Sequence, residues 1–252
     1  MGKVYLVFGL LFLFILFLYV YQPLGENFFI ISDIIPIFLS FLAFVFGLYS
    51  YKFYGSTSLQ GKAFLFLTLG TFFWFLGETT WGIYEIIFGI KSPVGTIADV
   101  FWLVGYPLFL LGLWYVRKIS STKIRKPELL FLLFFSILVL VFTFYLIKED
   151  VFNPEVLLSE KIFSVGYVVC DIVLIISSTF AVVNLFETKI FRAYFLIILG
   201  IISMSIADIY YMKFLETYAS SNLIDLWWDL SYILLAVGFF HHRKIMKDLL
   251  KK

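Results

Sequence analysis

Apolar residues in this chain fall into eight long runs, and most polar residues lie in short stretches between them. A helix that crosses a bilayer needs roughly 20 consecutive, mainly apolar residues. The runs at about 4–21, 33–54, 63–89, 96–116, 128–147, 160–186, 190–215 and 223–241 all suit that requirement. None alternates apolar and polar positions in the manner of a membrane β-barrel strand. The pattern predicts an all-α, polytopic membrane protein of eight transmembrane helices, with no separate soluble domain between them. The first run, Val4 to Val20, is longer than the apolar core of about 7–15 residues in a secretory signal. The following Tyr21-Gln22-Pro23-Leu24-Gly25 lacks a small-residue cleavage site, so the first helix is expected to be retained.

Composition agrees. The chain of 252 residues is 62% hydrophobic and 14% charged, with mean hydropathy +1.01. Soluble domains have roughly 25% charged residues. A net charge of +2 argues against a nucleic-acid partner. The single cysteine, Cys170, excludes an internal disulfide, and the only histidines, His241 and His242, exclude a His-rich metal site. Lys and Arg are unevenly distributed. Lys3, Lys52, Lys62, Arg117, Lys118, Lys123, Arg125, Lys126, Lys189, Arg192, Arg243, Lys244, Lys247, Lys251 and Lys252 fall on one side. Lys91, Lys148, Lys161 and Lys213 fall on the other. The positive-inside rule then places both termini in the cytoplasm, in a plasma membrane.

The fourth and eighth runs share the pattern D-x-x-W-x-x-x-Y-x-L-x-x-x-G. Asp99, Trp102, Tyr106, Leu108 and Gly112 fall on Asp225, Trp228, Tyr232, Leu234 and Gly238. In the preceding runs Leu69-Gly70, Glu78 and Trp81 fall on Leu199-Gly200, Asp208 and Tyr211. This predicts two parallel four-helix repeats, about 1–118 and 127–247, related by an axis along the membrane normal. Helices three, four, seven and eight are expected near that axis. Helices one, two and five are expected to face lipid.

An acid inside a bilayer costs at least about 2.5–3.5 kcal/mol near the centre, so each one calls for a reason. Glu78, Glu85, Asp99, Asp171, Asp208, Asp225 and Asp229 all lie within or at the ends of the runs. On the predicted orientation they gather in the outer half, with Asp171 nearest mid-depth. Helical spacing lines Glu78 up with Trp81 and Glu85, Asp99 with Trp102 and Tyr106, Asp208 with Tyr211, and Asp225 and Asp229 with Trp228 and Tyr232. If the four helices meet, these twelve residues form an outward-opening pocket with acidic groups and aromatic walls. Cation–π attraction would assist a small cationic ligand there. The same acids also read as posts that hydrogen-bond helices together. Asp99 and Asp225 read equally as first-turn caps, and Trp228 as an interfacial belt residue. Glu78 and Asp208 lie deeper and show no basic partner in the sequence. Elsewhere, Cys170 reads as an inert thiol, His241-His242 as headgroup-facing, and Pro36 and Pro107 as residues that free backbone carbonyls.

Gly77-Glu78, Trp81, Tyr84-Glu85, Gly89, Pro93, Ala98-Asp99, Gly105-Tyr106-Pro107-Leu108 and Gly112-Leu113 together resemble a pattern in prokaryotic multi-helix membrane sensor domains. Those domains precede histidine kinase, PAS or diguanylate cyclase modules. The sequence given ends at Lys252 without one, so the resemblance implies a stand-alone sensory version with a signalling or assembly partner on the cytoplasmic side. It supplies no ligand, and the sequence names no cofactor or metal. The expected function is therefore binding of a ligand or cation in a sensor-like membrane protein. The alternatives are a small transporter or channel for a cationic solute and a membrane enzyme acting on lipid. For the enzyme, the chain lacks a nucleophile with its base.

Overall fold

The computed structural model describes residues 2–90, 95–119, 123–152, 158–186, 188–214, 218 and 221–251. Lys91, Pro93 and Lys252 lie outside them. The described residues form eight long helices and no strand. They are α1 (Gly2–Tyr21), α2 (Phe28–Tyr54), α3 (Leu59–Gly82), α4 (Ile97–Ile119), α5 (Lys126–Phe152), α6 (Leu158–Val182), α7 (Phe191–Lys213) and α8 (Asp225–Leu249). Seven of them, α1 to α7, are long and apolar enough to cross a membrane. The exception is α8, which carries Asp225 and Asp229 at its start and His241, His242 and Arg243 further on.

The outer surface suits a lipid bilayer. Along α5, Leu130, Phe134 and Val141 are 67%, 67% and 63% exposed. Most of α1 is similarly open, with only Phe8, Ile15 and Tyr19 turned inward.

Six helices close a cycle of contacts: α3 packs on α4, α4 on α6, α6 on α7, α7 on α8, α8 on α2, and α2 back on α3. α1 rests on α8, and α5 on α6 and α7. The expectation that helix two faces lipid is therefore incorrect. α2 lies between α3 and α8 and buries Ser32, Asp33, Ser40 and Ser50. Their short hydroxyls escape the desolvation penalty by bonding backbone carbonyls: Ser40 reaches Ile37 at 3.1 Å and Ser50 reaches Phe239 of α8 at 3.0 Å. Pro36 leaves the Ser32 carbonyl without its helical donor, and the Tyr19 hydroxyl of α1 approaches that carbonyl at 3.5 Å.

Several glycines permit close packing, two of them at corresponding places in the two halves of the chain. A Cβ at Gly112 would stand 2.7 Å from Leu67 Cγ, and one at Gly238 would stand 2.7 Å from Ile197 Cγ1. Small residues let helix backbones approach where no hydrophobic driving force exists between helix and lipid.

The histidines also depart from expectation. His242 is fully buried, with its Nδ1 2.7 Å from the Tyr54 hydroxyl and its ring 4.8 Å from those of Phe64 and Tyr194. His241 pairs with the Tyr5 hydroxyl. Aromatic partners from distant helices, rather than headgroups, take up both imidazoles.

Candidate functional site

Six helices bring polar side chains to one end of the bundle. Glu78 and Trp81 lie in the last turns of α3, and Asp208 and Tyr211 in those of α7. Asp99 and Asp225 lie in the first turns of α4 and α8. Asp33 comes from the start of α2, and Phe163 and Tyr167 from the start of α6. Between them opens a cavity of about 110 Å³. Five acids line it: Asp33, Glu78, Asp99, Asp208 and Asp225. The walls are aromatic, formed by Trp74, Trp81, Trp102, Tyr106, Phe163, Tyr167, Tyr211, Tyr218 and Trp228. Ser32, Pro36 and Met204 complete the lining, and no Lys or Arg is among the described lining residues.

The deeper acids are held by aromatic donors. The Tyr232 hydroxyl donates to Glu78 Oε1 at 2.6 Å, and the Trp102 indole lies close by Glu78. Trp228 Nε1 donates to Asp208 Oδ1 at 2.7 Å, and the Tyr106 hydroxyl stands 3.3 Å from Asp208 Oδ2. That same hydroxyl is 2.9 Å from Asp171 Oδ1 on α6. Glu78 and Asp208 thus have partners, although none is basic. Phenol and indole groups supply the hydrogens because they can be buried with little penalty and still carry a polar tip. The small Gly77 gives the Trp102 indole its place: a Cβ there would collide with the ring.

The acids nearer the helix starts bond local backbone donors and also form wall. Asp99 Oδ2 accepts from the Thr96 N–H at 2.7 Å, and its Oδ1 accepts from the Tyr167 hydroxyl at 2.8 Å. Asp225 Oδ2 accepts from the Ser221 N–H at 2.9 Å, and its Oδ1 accepts from the Tyr218 hydroxyl at 2.8 Å. Asp99, three residues after Thr96, takes up the backbone donor at the start of α4 in the manner of a capping box. Asp225 instead ties back the stretch before α8 through the Ser221 N–H rather than capping its own helix, and both acids also face the cavity.

Nine of the twelve residues singled out in the sequence line the cavity: Glu78, Trp81, Asp99, Trp102, Tyr106, Asp208, Tyr211, Asp225 and Trp228. The other three do not. Tyr232 stands behind Glu78 as its donor. Glu85 is buried in a single wide π turn, Ile83–Ile87, that extends α3, and its carboxyl meets that of Asp33. Asp229 is fully buried and faces Tyr19 of α1.

Sequence reasoning missed Asp33, Tyr167 and Tyr218. Asp33 sits at the edge of an apolar run that seemed to need no explanation, yet an unpaired acid opening a span is itself a signal. Tyr167 stands four residues before Asp171 on α6, a spacing that was passed over, while its partner Asp99 is 68 residues away; Tyr218 lies between α7 and α8, outside any apolar run.

No protein-family model matches the chain, and neither the curated proteins nor the solved structures contain a match. The site therefore has to be read from its own chemistry. It is an apolar, aromatic chamber containing several carboxyl groups and no basic side chain among its described residues.

Proposed function

We propose that this chain is an eight-span plasma-membrane protein of two parallel four-helix repeats, with both termini cytoplasmic, and that its chamber binds a small organic cation from the outer side. The observation that carries the reading is the chamber itself: five acids and nine aromatic rings with no basic lining residue among those described. A positive charge in that space meets carboxyl groups on every side. Each desolvated ring face adds attraction on the order of 0.5–2 kcal/mol.

An organic ammonium suits the walls better than a metal ion. The oxygens of Glu78, Asp99, Asp208 and Asp225 already accept from hydroxyl, indole or backbone donors. Among the described residues no three His, Cys, Asp or Glu side chains converge to hold a metal. The cavity of about 110 Å³ limits the guest to a few heavy atoms, since a dry cavity of about 150 Å³ accommodates benzene.

The repeat is supported by contacts that recur in both halves. Tyr106 faces Asp208, and its counterpart Tyr232 donates to Glu78. Trp228 bonds Asp208, and its counterpart Trp102 lies close by Glu78. Gly112 meets Leu67, as Gly238 meets Ile197. The less apolar α8 is read as a span because it packs lengthwise on α2 and α7. A sensor-like role, with a signalling or assembly partner on the cytoplasmic side, draws on the resemblance across Gly77–Gly112. Transport of the same cation is the second reading. It is favoured by the polar set at the opposite end, made of buried Ser50, Tyr194 and His242 with the half-buried Tyr54.

The test uses the protein in lipid nanodiscs, with tetramethylammonium and Mg²⁺ as probes. Tryptophan emission from Trp81, Trp102 and Trp228 is the readout. A saturable response to tetramethylammonium, weakened at least tenfold in Glu78→Gln/Asp208→Asn, is expected. A response to Mg²⁺ alone, or none to either probe, would overturn the reading. Uptake of labelled tetramethylammonium into proteoliposomes separates transport from binding.

A further inference from the structure

We infer that Asp171, Tyr106 and Asp208 form a proton-binding relay, in which Asp171 stores a proton outside the chamber and Tyr106 passes it to Asp208 on the chamber wall. This goes beyond cation binding and stands whether or not an organic cation occupies the chamber.

The basis is a count of hydrogens. Tyr106 Oη lies 2.9 Å from Asp171 Oδ1 and 3.3 Å from Asp208 Oδ2. A phenol carries one hydrogen, and an ionised carboxylate only accepts. With both acids ionised, two negative groups would converge on a single hydrogen in a site where Asp171 is 1% exposed. Like charges so placed do not both ionise. One added proton resolves the conflict. The Asp171 carboxyl donates to the Tyr106 oxygen while Tyr106 donates to Asp208, so each contact holds one hydrogen and all point the same way.

The surroundings leave that proton in place. Asp171 faces Tyr106 of α4 and Ser205 and Asp208 of α7. Near Asp208 stand Trp228 of α8, Tyr106 of α4 and, across the chamber, Glu78 of α3. Tyr167 of α6 and Tyr211 of α7 adjoin the same acids. The groups that act most strongly on either carboxyl include no Lys or Arg, and none is among the described lining residues of the chamber.

The position of Asp171 separates store from outlet. Asp208 and Tyr106 line the chamber, and Asp171 does not. Transfer needs only a shortening of two existing contacts, of 2.9 and 3.3 Å. The Asp171 O–H bond breaks as a new bond forms to the Tyr106 oxygen, and the original Tyr106 O–H bond breaks as its hydrogen passes to Asp208. Charge is conserved: the negative charge moves from Asp208 to Asp171, and the phenol ends neutral with its hydrogen turned toward Asp171. From Asp208 the proton reaches the chamber.

Infrared spectroscopy of the protein in nanodiscs at neutral pH tests this without any ligand. A protonated-carboxyl carbonyl band is expected that shifts with ¹³C-carboxyl aspartate labelling and disappears in Asp171→Asn. Because that variant removes a buried partner and can fail to fold, Tyr106→Phe provides a second arm. It keeps the ring and removes the acceptor, so the band should move to higher wavenumber. No aspartate-labelled band in the wild type, or the same band at the same position in Tyr106→Phe, would overturn the relay.

Discussion

At the scale of single residues, aromatic side chains bring hydrogens to Glu78, Asp99, Asp208 and Asp225. Tyr232 is the simplest case. Its ring is completely buried, and its hydroxyl sits 2.6 Å from Glu78 Oε1. A hydrogen bond to a charged group contributes about 1.5–3 kcal/mol, and losing one partner leaves the other desolvated. Tyr232→Phe should therefore lower unfolding stability by about 2 kcal/mol in detergent, read as a fall in thermal or denaturant midpoint. Tyr210, 44% exposed on α7, offers the control. Tyr210→Phe should stay within about 0.5 kcal/mol of the parent. Equal effects at the two positions would mean that the Tyr232 hydroxyl contributes nothing particular. Single residues are also where the sequence was least legible. Glu78 and Asp208 were visible as acids in apolar runs, but their donors are 154 and 20 residues away. Tyr54 is 188 residues from the imidazole it holds.

At the scale of helices, apolar run length located all eight elements, with ends that moved by up to eight residues. α2 begins at Phe28 rather than 33, and α8 continues to Leu249 rather than 241. The basic stretch from Arg243 stays helical because helix formation tolerates polar residues that run length does not count. What run length could not provide was the neighbour of each helix. α2 looks as apolar as α5, and the difference lies in a few small polar residues, Ser32, Asp33, Ser40 and Ser50, on its buried face. Glycine spacing carried more information. Gly112→Ala and Gly238→Ala each push a methyl group into a neighbouring helix, and overpacking of this kind costs about 1–3 kcal/mol. Gly9 has nothing within 4 Å of its would-be Cβ. Gly9→Ala should be neutral or stabilising by up to about 1 kcal/mol, as for any exposed helical glycine. Thermal midpoints of the three variants, measured side by side, check the contrast.

At the scale of the whole molecule, the membrane class was clear from composition, and the coming together of helix ends was foreseeable from the acid and aromatic stripes. Orientation rests on the distribution of Lys and Arg. It is tested by cysteines introduced into a Cys170→Ala background at Glu26, between α1 and α2, and at Ser56, between α2 and α3, both exposed. An impermeant maleimide applied to intact cells should label Glu26→Cys and leave Ser56→Cys unlabelled. The reverse pattern would turn the chamber toward the cytoplasm. The site's detailed wiring was not legible at this scale, because it depends on α2 and α6 each wedging between two other helices.

The closed cycle of six helices has a consequence for ancestry. It passes from one half of the chain to the other at two seams, α2 against α8 and α4 against α6. On the two-repeat reading these seams are the same junction seen twice. A single four-helix ancestor would have left both faces of that junction open, and pairing with an identical copy would have closed them. Fusion of two such genes then releases the copies from matching each other. On that same reading, drift since such a fusion would account for Glu78 and Trp81 in one half standing where Asp208 and Tyr211 stand in the other. It would equally account for an acid at Asp171 in one half alone, and so for a chamber with two chemically different sides.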